Sequence, residues 1–424
     1  MFRTCSKKTN MENVQKAEHP LRILVVTECF WPDIYAINDI TEKLVKRGHS
    51  VTVLTGLPDY TTTRIPKEYK HGKNRHQNYK GADVYRVSTI ARRHGPIWRS
   101  LSYLSFVAAG NHRARTMDFD DFDIIYVWEV SPVTMAVPAI TLKKRYNKPL
   151  FLYCMDIWPE CVKAMHINEG TLPYKMIHSW TKKIYRQCDH IAVSSRPFFE
   201  YMERVNGIEL EKMSYLPQFG DSTLLEMDTA TTNGITATTD FLFVGNIGKA
   251  QNLDCLMKAM LVFKGRSDVH LHMVGGGSEE ESIKKLAHDL EIDDLVTFYG
   301  PKPFKESLEF YKTADACVLT LDGSTHIGDT LPGKLQTYMA AGKPILAAAN
   351  GAAAEIIKEA DCGGCVPAGD YRKYGELLRD FADSDKYTNC GENARKYFRD
   401  NFTEEIHFAA LEERLYSMTI NKTC

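Results

Sequence analysis

"FLFVGNIGKAQNLD", residues 241–254, is the stretch whose reading decides the fold. An apolar strand delivers the chain into Gly245-Asn246-Ile247-Gly248-Lys249, and a helix begins near Leu253. Glycines let backbone N–H groups come close to an anion, and the helix N-terminus adds a partial positive charge. Lys249 and its full charge complete a seat for a phosphate or diphosphate. The plainer alternative is a tight strand-to-helix turn with a solvated lysine.

Outward from this unit the same alternation repeats. Before it come "LRILVVT" from Leu21, the amphipathic "INDITEKLVKRG", then "SVTVLTG", "DIIYVWE", "LFLYCMD" and "HIAVSS", separated by helix-sized segments. After it come "VHLHMVGG", "VTFYG", "ACVLTL" and "PILAAA". Near-continuous apolar strands alternating with helices predict parallel sheets covered on both faces. The alternation breaks once, over the small, polar and aperiodic residues 220–239. The chain therefore divides into an extension (1–20), an N-terminal Rossmann-like domain (21–219), a linker (220–239) and a C-terminal Rossmann-like domain (240–400). A last helical stretch (401–424) has no strand after it and is expected to return to the first domain. Two doubly wound α/β domains put ligands at the carboxyl ends of their strands, so the cleft between them is the expected site.

Two further segments carry chemistry. "HMVGGGSEEESIKKL" sets Gly275, Gly276 and Gly277 between strand and helix. It does not match G-x-G-x-x-G, but it permits close approach of a nucleotide or sugar. "GDTLPGKLQTYMAAGKPIL", residues 328–346, reads as a helix start with Asp329 or Thr330 as cap and Pro332 and Gly333 in the first turn. Leu335, Tyr338, Met339 and Gly342 keep core spacing, which leaves Lys334 and Thr337 together on the other side. With Lys249, two lysines and two helix N-termini could converge on one diphosphate.

The totals exclude several classes. A chain of 424 residues with a formal charge of -1 and ordinary apolar content is globular, neither disordered nor fibrous. Eleven scattered cysteines read as reduced thiols of a cytoplasmic protein, and "CGGC" at Cys362–Cys365 as a Gly-rich turn entering a strand. The first twenty residues lack the apolar core of a signal peptide, Met11 offers a second start, and no apolar run reaches membrane-spanning length. Charge is uneven, however. Residues 64–115 hold twelve Lys/Arg against Glu68 and Asp83, a net of +10, around the apolar "GPIWRSLSYLSFVAAGNHRAR". That pattern suits a segment lying on an anionic membrane surface, against the alternative of a solvated basic loop with one core helix. No nucleic-acid motif accompanies it, so nucleic acid is not expected as a partner.

"FWPDIYAINDITEKLVKRGHSVTVLTGLPDY", "MDIWPE", "GNIGKAQNL" and "LPGKLQTYMAAGKP" resemble the family 4 retaining glycosyltransferases of GT-B architecture, from about Leu21 to Tyr416. They are similar to the branch that builds bacterial O-antigen and capsule sugars, the N-acetyl-L-fucosamine-type transferases. The resemblance implies the fold: α/β, GT-B, two doubly wound Rossmann-like domains with a cleft between them. It also implies residue roles. The family's diphosphate-binding Arg and Lys fall on Asn246 and Gln251, leaving Lys249 as the nearby cation. Its two glutamates fall on Asp329, an acceptor for sugar hydroxyls, and on Thr337, a neutral and shorter ribose contact, so Lys334 gains importance on phosphate. The active-site histidine position is occupied by Asp156, whose other reading is a helix N-cap ahead of Pro159. Glu160, Asn38 and Asp39 are candidate sugar or acceptor contacts.

The resulting expectation is a cytoplasmic enzyme, peripheral at the inner face of the membrane. It moves a sugar from a UDP-linked donor to a polyprenyl-diphosphate-linked glycan with retention, and it uses no cofactor and no metal. Asp156, Lys249, Lys334 and Asp329 form its catalytic set; Gly245, Asn246, Gly248, Gln251, Gly275, Gly276, Gly333 and Thr337 bind the donor. The rivals are a GT-B nucleotide-sugar epimerase and a non-catalytic nucleotide-sugar-binding partner.

Overall fold

The computed structural model describes residues 20–59, 63–93, 95–119, 121–165, 167–226, 238–323 and 326–420. The N-terminal extension and most of the polar stretch 220–239 lie outside the described residues. Among the described residues two compact units emerge, one within residues 1–192 and 409–424 and the other within residues 193–408.

The first unit is built from β1 (Arg22–Val26), α1 (Ala36–Lys46), β2 (Ser50–Thr55), β3 (His76–Tyr79), β4 (Ala82–Arg86), α2 (Pro96–Thr116), β5 (Ile124–Glu129), α3 (Val137–Tyr146), β6 (Leu150–Cys154), α4 (Leu172–Tyr185) and β7 (His190–Val193). The sheet order is β3-β4-β2-β1-β5-β6-β7, and the short strand β8 (Met213–Tyr215) falls within residues 193–408. Only β3 is antiparallel, to β4, among the paired strands β1 to β6. Every residue of β5 and β6 is buried, which is why both read as unbroken apolar runs rather than alternating ones.

The remaining elements are α5 (Pro197–Tyr201), β9 (Thr239–Val244), α6 (Leu253–Met260), β10 (Val269–Val274), α7 (Glu280–Asp289), β11 (Val296–Gly300), α8 (Phe304–Thr313), β12 (Ala316–Thr320), α9 (Gly333–Ala340), β13 (Ile345–Ala348), α10 (Gly351–Ala360), β14 (Gly363–Val366), α11 (Tyr371–Ala382), α12 (Cys390–Asn401) and α13 (Glu404–Ile420). The second sheet runs β11-β10-β9-β12-β13-β14, all pairs parallel. Its strands feed two cores alternately. Phe241, Phe243, Val318 and Leu346 join one core, and Leu242, Cys317, Leu319 and Ile345 the other. Each such side chain, fully buried, stabilises the fold by about 1.5–3 kcal/mol. "CGGC" leads into the edge strand β14 (Gly363–Val366), with Cys362 ahead of it and Cys365 within it, and both cysteines are free thiols.

The C-terminal end of α13 belongs to the first unit. Its Glu412 accepts from Arg47 Nε at 2.7 Å and lies 3.1 Å from His49 Nε2. Burial alone would raise this carboxyl, but the hydrogen bonds from His49 and Arg47 outweigh it and hold it at about 2. A depressed carboxylate contributes stability that is present above the unfolded value and lost as pH falls through the folded one. Glu412→Gln is therefore expected to cost roughly 2 kcal/mol at neutral pH. The difference in melting temperature from the parent chain should close as pH drops from about 4.5 towards 2, which a pH series of thermal melts will read.

Candidate active site

In the second unit the site grows from the carboxyl end of β9. Gly245 follows the strand at φ +141°, and a Cβ there would sit 2.3 Å from Lys334 Cε. Gly275 follows β10 at φ +142°, where a Cβ would lie 1.8 Å from the Gly245 carbonyl oxygen. A Cβ on Gly277 would meet the Ile247 oxygen at 2.3 Å, and one on Gly276 would meet Pro301 Cγ at 2.9 Å. Two glycine loops thus touch backbone to backbone, a spacing that no side chain permits. Gly248 faces Asn246, whose side chain would be 2.4 Å from an added Cβ. Gly333, by contrast, opens onto free space.

Lys334 lies in the first turn of α9. Its ammonium donates to Gln251 Oε1 and stands 4.3 Å from the centre of the Phe243 ring. Among the described residues no carboxylate pairs with it, and burial pulls its pKa down to about 7. A desolvated lysine facing an aromatic ring and neutral amides gains greatly from an anion. The helix that carries it is fixed from behind. Tyr338 OH accepts from the Val244 N–H at 3.1 Å and lies 3.3 Å from the Val244 oxygen, tying α9 to the end of β9. Leu335, Tyr338 and Met339 are buried as their spacing predicts.

The structure corrects part of the expected helix start. The helix begins at Gly333 with Pro332 at its N-cap and no side-chain cap. Asp329 and Thr330 are not the cap, because Asp329 ends a separate short turn, His326–Asp329, and proline's own fixed φ suffices to launch the helix. Gly342 lies beyond the helix, at φ +67°. Asp329 uses its backbone oxygen to accept from Ser195 Oγ. The Thr337 hydroxyl donates to the Gly333 carbonyl at 3.1 Å, one turn back along its own helix. Thr337→Ala is accordingly expected to weaken nucleotide binding by at most about 1 kcal/mol, measured by titration calorimetry. Lys249 is exposed in a short turn, Lys249–Gln251, ahead of α6. Among the described residues the contacts join Lys334, Gln251, Gly245, Gly275 and Gly277, and none joins Lys249 or Thr337 to that group.

The first unit carries a second group at the ends of β5 and β6. Asp156 Oδ2 accepts from the Ser131 N–H at 3.0 Å and from Ser131 Oγ at 2.8 Å. Burial raises its pKa, with the Ser131 hydrogen bonds opposing. These partners are not those of a helix N-cap, the other reading of Asp156: the oxygen turns to the neighbouring strand's loop. Trp158 Nε1 donates to the same Ser131 hydroxyl at 3.3 Å. Beneath lies Glu129, wholly buried, its carboxyl pushed well above the ordinary range by desolvation. Glu160 accepts from Tyr174 OH at 3.1 Å and pairs with Lys163 at 2.6 Å. Asn38 is committed to its own loop: its oxygen accepts from the Trp31 N–H at 2.9 Å and its amide donates to the Asp33 oxygen at 2.7 Å. Asp39 is exposed in the first turn of α1. Sequence reasoning missed Phe243, Ser131 and Glu129. Only Glu129 left a signal, a carboxylate closing the apolar strand "IIYVWE".

Two family models match, one described as Glycosyltransferase Family 4 over residues 36–222 and one as Glycosyl transferases group 1 over residues 233–397. The chain is a GT-B glycosyltransferase of the family 4 type. Among curated proteins this glycosyltransferase is 25% identical to the probable glycosyltransferase WbjE of Pseudomonas aeruginosa over 62% of its own length and 67% of that protein. Among solved structures it is similar to sucrose-phosphate synthase from Thermosynechococcus elongatus, with a TM-score of 0.72 and 18% identity, covering 95% of this chain and 100% of that one. It is also similar to Anabaena HepE in complex with UDP, with a TM-score of 0.68 and 14% identity, covering 94% and 100% of the two chains. At these identities the structural likenesses establish the glycosyltransferase's fold, two Rossmann-like α/β domains with parallel sheets.

Proposed function

We propose that the chain transfers a sugar from a nucleotide-sugar, with UDP as the nucleotide, to a lipid-linked glycan in the synthesis of a bacterial surface polysaccharide. The proposed sugar is N-acetyl-L-fucosamine-like or another N-acetylamino sugar. The observation that carries this reading is the uncompensated, desolvated Lys334 ammonium against the glycine loops at Gly245 and Gly275. The donor diphosphate is assigned to that ammonium and to the N-termini of α6 and α9, with Lys249 at the exposed rim.

In the proposed step the bond between the anomeric carbon and the leaving phosphate oxygen breaks. The acceptor hydroxyl attacks from the same face, and its proton passes to that phosphate oxygen. Fixed positive charge beside the leaving oxygens stabilises charge that grows in the transition state. Asp156 is assigned to orienting the sugar, and Asp329 to its hydroxyls. HepE, similar in fold, binds UDP, which supports UDP as the nucleotide. The basic residues 64–115 support a polyprenyl-diphosphate acceptor presented at an anionic membrane surface on the cytoplasmic side. No helix among the described residues is long and apolar enough to cross a membrane.

The test is a panel of UDP-, GDP- and dTDP-sugars with and without bacterial membrane lipids, reading nucleotide release. Release from a UDP-sugar that requires the lipid is the expected result. Epimer formation without acceptor would replace the reading with an epimerase, and tight donor binding without turnover would leave a binding partner only.

A further inference from the structure

The two helices that follow β4 and β6 share an unusual surface. On α2, Ile97, Trp98, Leu101 and Leu104 point outward; on α4, Leu172, Met176 and Trp180 do, and all seven are between 39% and 74% exposed. On each helix the spacing gathers them into one stripe. Neither helix contains an Asp or Glu. The charges around the stripes are mostly basic: Arg93, whose guanidinium lies 4.5 Å from the Trp98 ring centre, and exposed Arg99 beside α2's stripe, with exposed Lys175 and Lys183 on α4; exposed Glu169, just ahead of α4, pairs with Lys163 at 3.4 Å.

Topology brings the stripes together. The crossovers from β4 to β5 and from β6 to β7 run the same way along the sheet order, whereas the crossover from β1 to β2 runs the other way. Right-handed connection therefore lays α2 and α4 on one face and α1 on the opposite one. Both α2 and α4 contact the single turn Val133–Ala136. Helices that link parallel strands start at the carboxyl edge of the sheet. The stripes begin at the first turns of both helices, so they lie towards the edge that carries Asp156.

We infer that α2 and α4 together form a two-pronged seat on an anionic lipid bilayer, with α4 as the second prong beside the basic residues 64–115. Charge complementarity selects this occupant: a predominantly basic rim, in which the acidic Glu169 is paired with Lys163, around exposed aliphatic and tryptophan side chains matches anionic headgroups over acyl chains. Two prongs at one edge fix the tilt of the unit, holding the Asp156 edge towards the bilayer surface. The inference extends the lipid-linked-acceptor reading, yet its test needs no acceptor.

The full chain is floated with vesicles of phosphatidylcholine alone or mixed with phosphatidylglycerol, and fluorescence of Trp98→Phe and Trp180→Phe is quenched with brominated lipid. Binding only to the mixed vesicles is expected, with each tryptophan removing part of the quenching. The double variants Leu101→Ser/Leu104→Ser and Met176→Ser/Trp180→Ser, both at exposed positions, should each lower partitioning by about tenfold or more. Unchanged partitioning of the α4 variant would overturn the second prong. Equal binding to neutral vesicles would overturn the charge argument. Self-association that the same variants abolish, without vesicle binding, would assign the surface to a second copy. Nucleotide release measured without vesicles reports separately on the transferase reading.

Discussion

Lys334→Met is expected to cut nucleotide-sugar turnover sharply while raising the melting temperature. Loss of one preorganised charge at the leaving diphosphate should lower kcat/KM by about 100- to 1000-fold. Stability moves the other way, because the ammonium is desolvated against Phe243 and Gln251 with no carboxylate partner among the described residues. The sign follows from proton counts. Between a folded pKa of about 7 and the unfolded lysine value, the unfolded chain holds a proton that the folded chain lacks. This lysine therefore lowers stability, and methionine removes that cost. A variant that is inactive and also less stable would point to a structural role for Lys334. One that keeps full activity would remove the diphosphate assignment. The same pKa predicts that the donor KM of the parent enzyme rises as pH climbs above about 7, because the free enzyme must then take up a proton to bind.

Gly275→Ala carries the second large effect. Its Cβ would fall 1.8 Å from the Gly245 carbonyl oxygen, backbone against backbone, at a φ of +142°. Neither strand end can retreat without breaking the β9–β10 ladder that pairs Val274 with Val244. The expected outcome is a loss of more than about 3 kcal/mol in stability, or failure to fold, read by denaturant melts. Gly333→Ala is the control: its Cβ meets nothing within 4 Å, so stability should hardly change. Equal stability of the Gly275 variant would mean that the two loops do not touch.

Every short apolar run read as a strand from the sequence is a strand of the structure, because buried parallel strands leave an unambiguous signature in composition. The hairpin of β3 and β4 escaped notice, since its residues lie within the basic stretch and only partly face a core. The glycine loops were legible as anion seats, but their mutual contact was not: Gly245 and Gly275 are thirty positions apart, and nothing local marks the approach. Lys334 was read from the helix spacing, whereas its seat on Phe243 depends on tertiary packing. The misread cap of α9 has a local cause. Asp329 and Thr330 are favoured cap types, but Pro332 stands closer and needs no side-chain bond. Asn38 is a candidate contact by its place in the chain alone, and its bracing of the loop is visible only in its hydrogen bonds.

The central claim, that a donor diphosphate seats on Lys334, is tested most directly by counting protons. Calorimetric titration of UDP into the full chain, in buffers of different ionisation enthalpy, gives the protons taken up on binding. At about pH 8 the parent chain should take up close to one proton more than Lys334→Met, and at about pH 6 the two should differ little. UDP binding with the same affinity and the same proton count in both chains at both pH values would contradict the account.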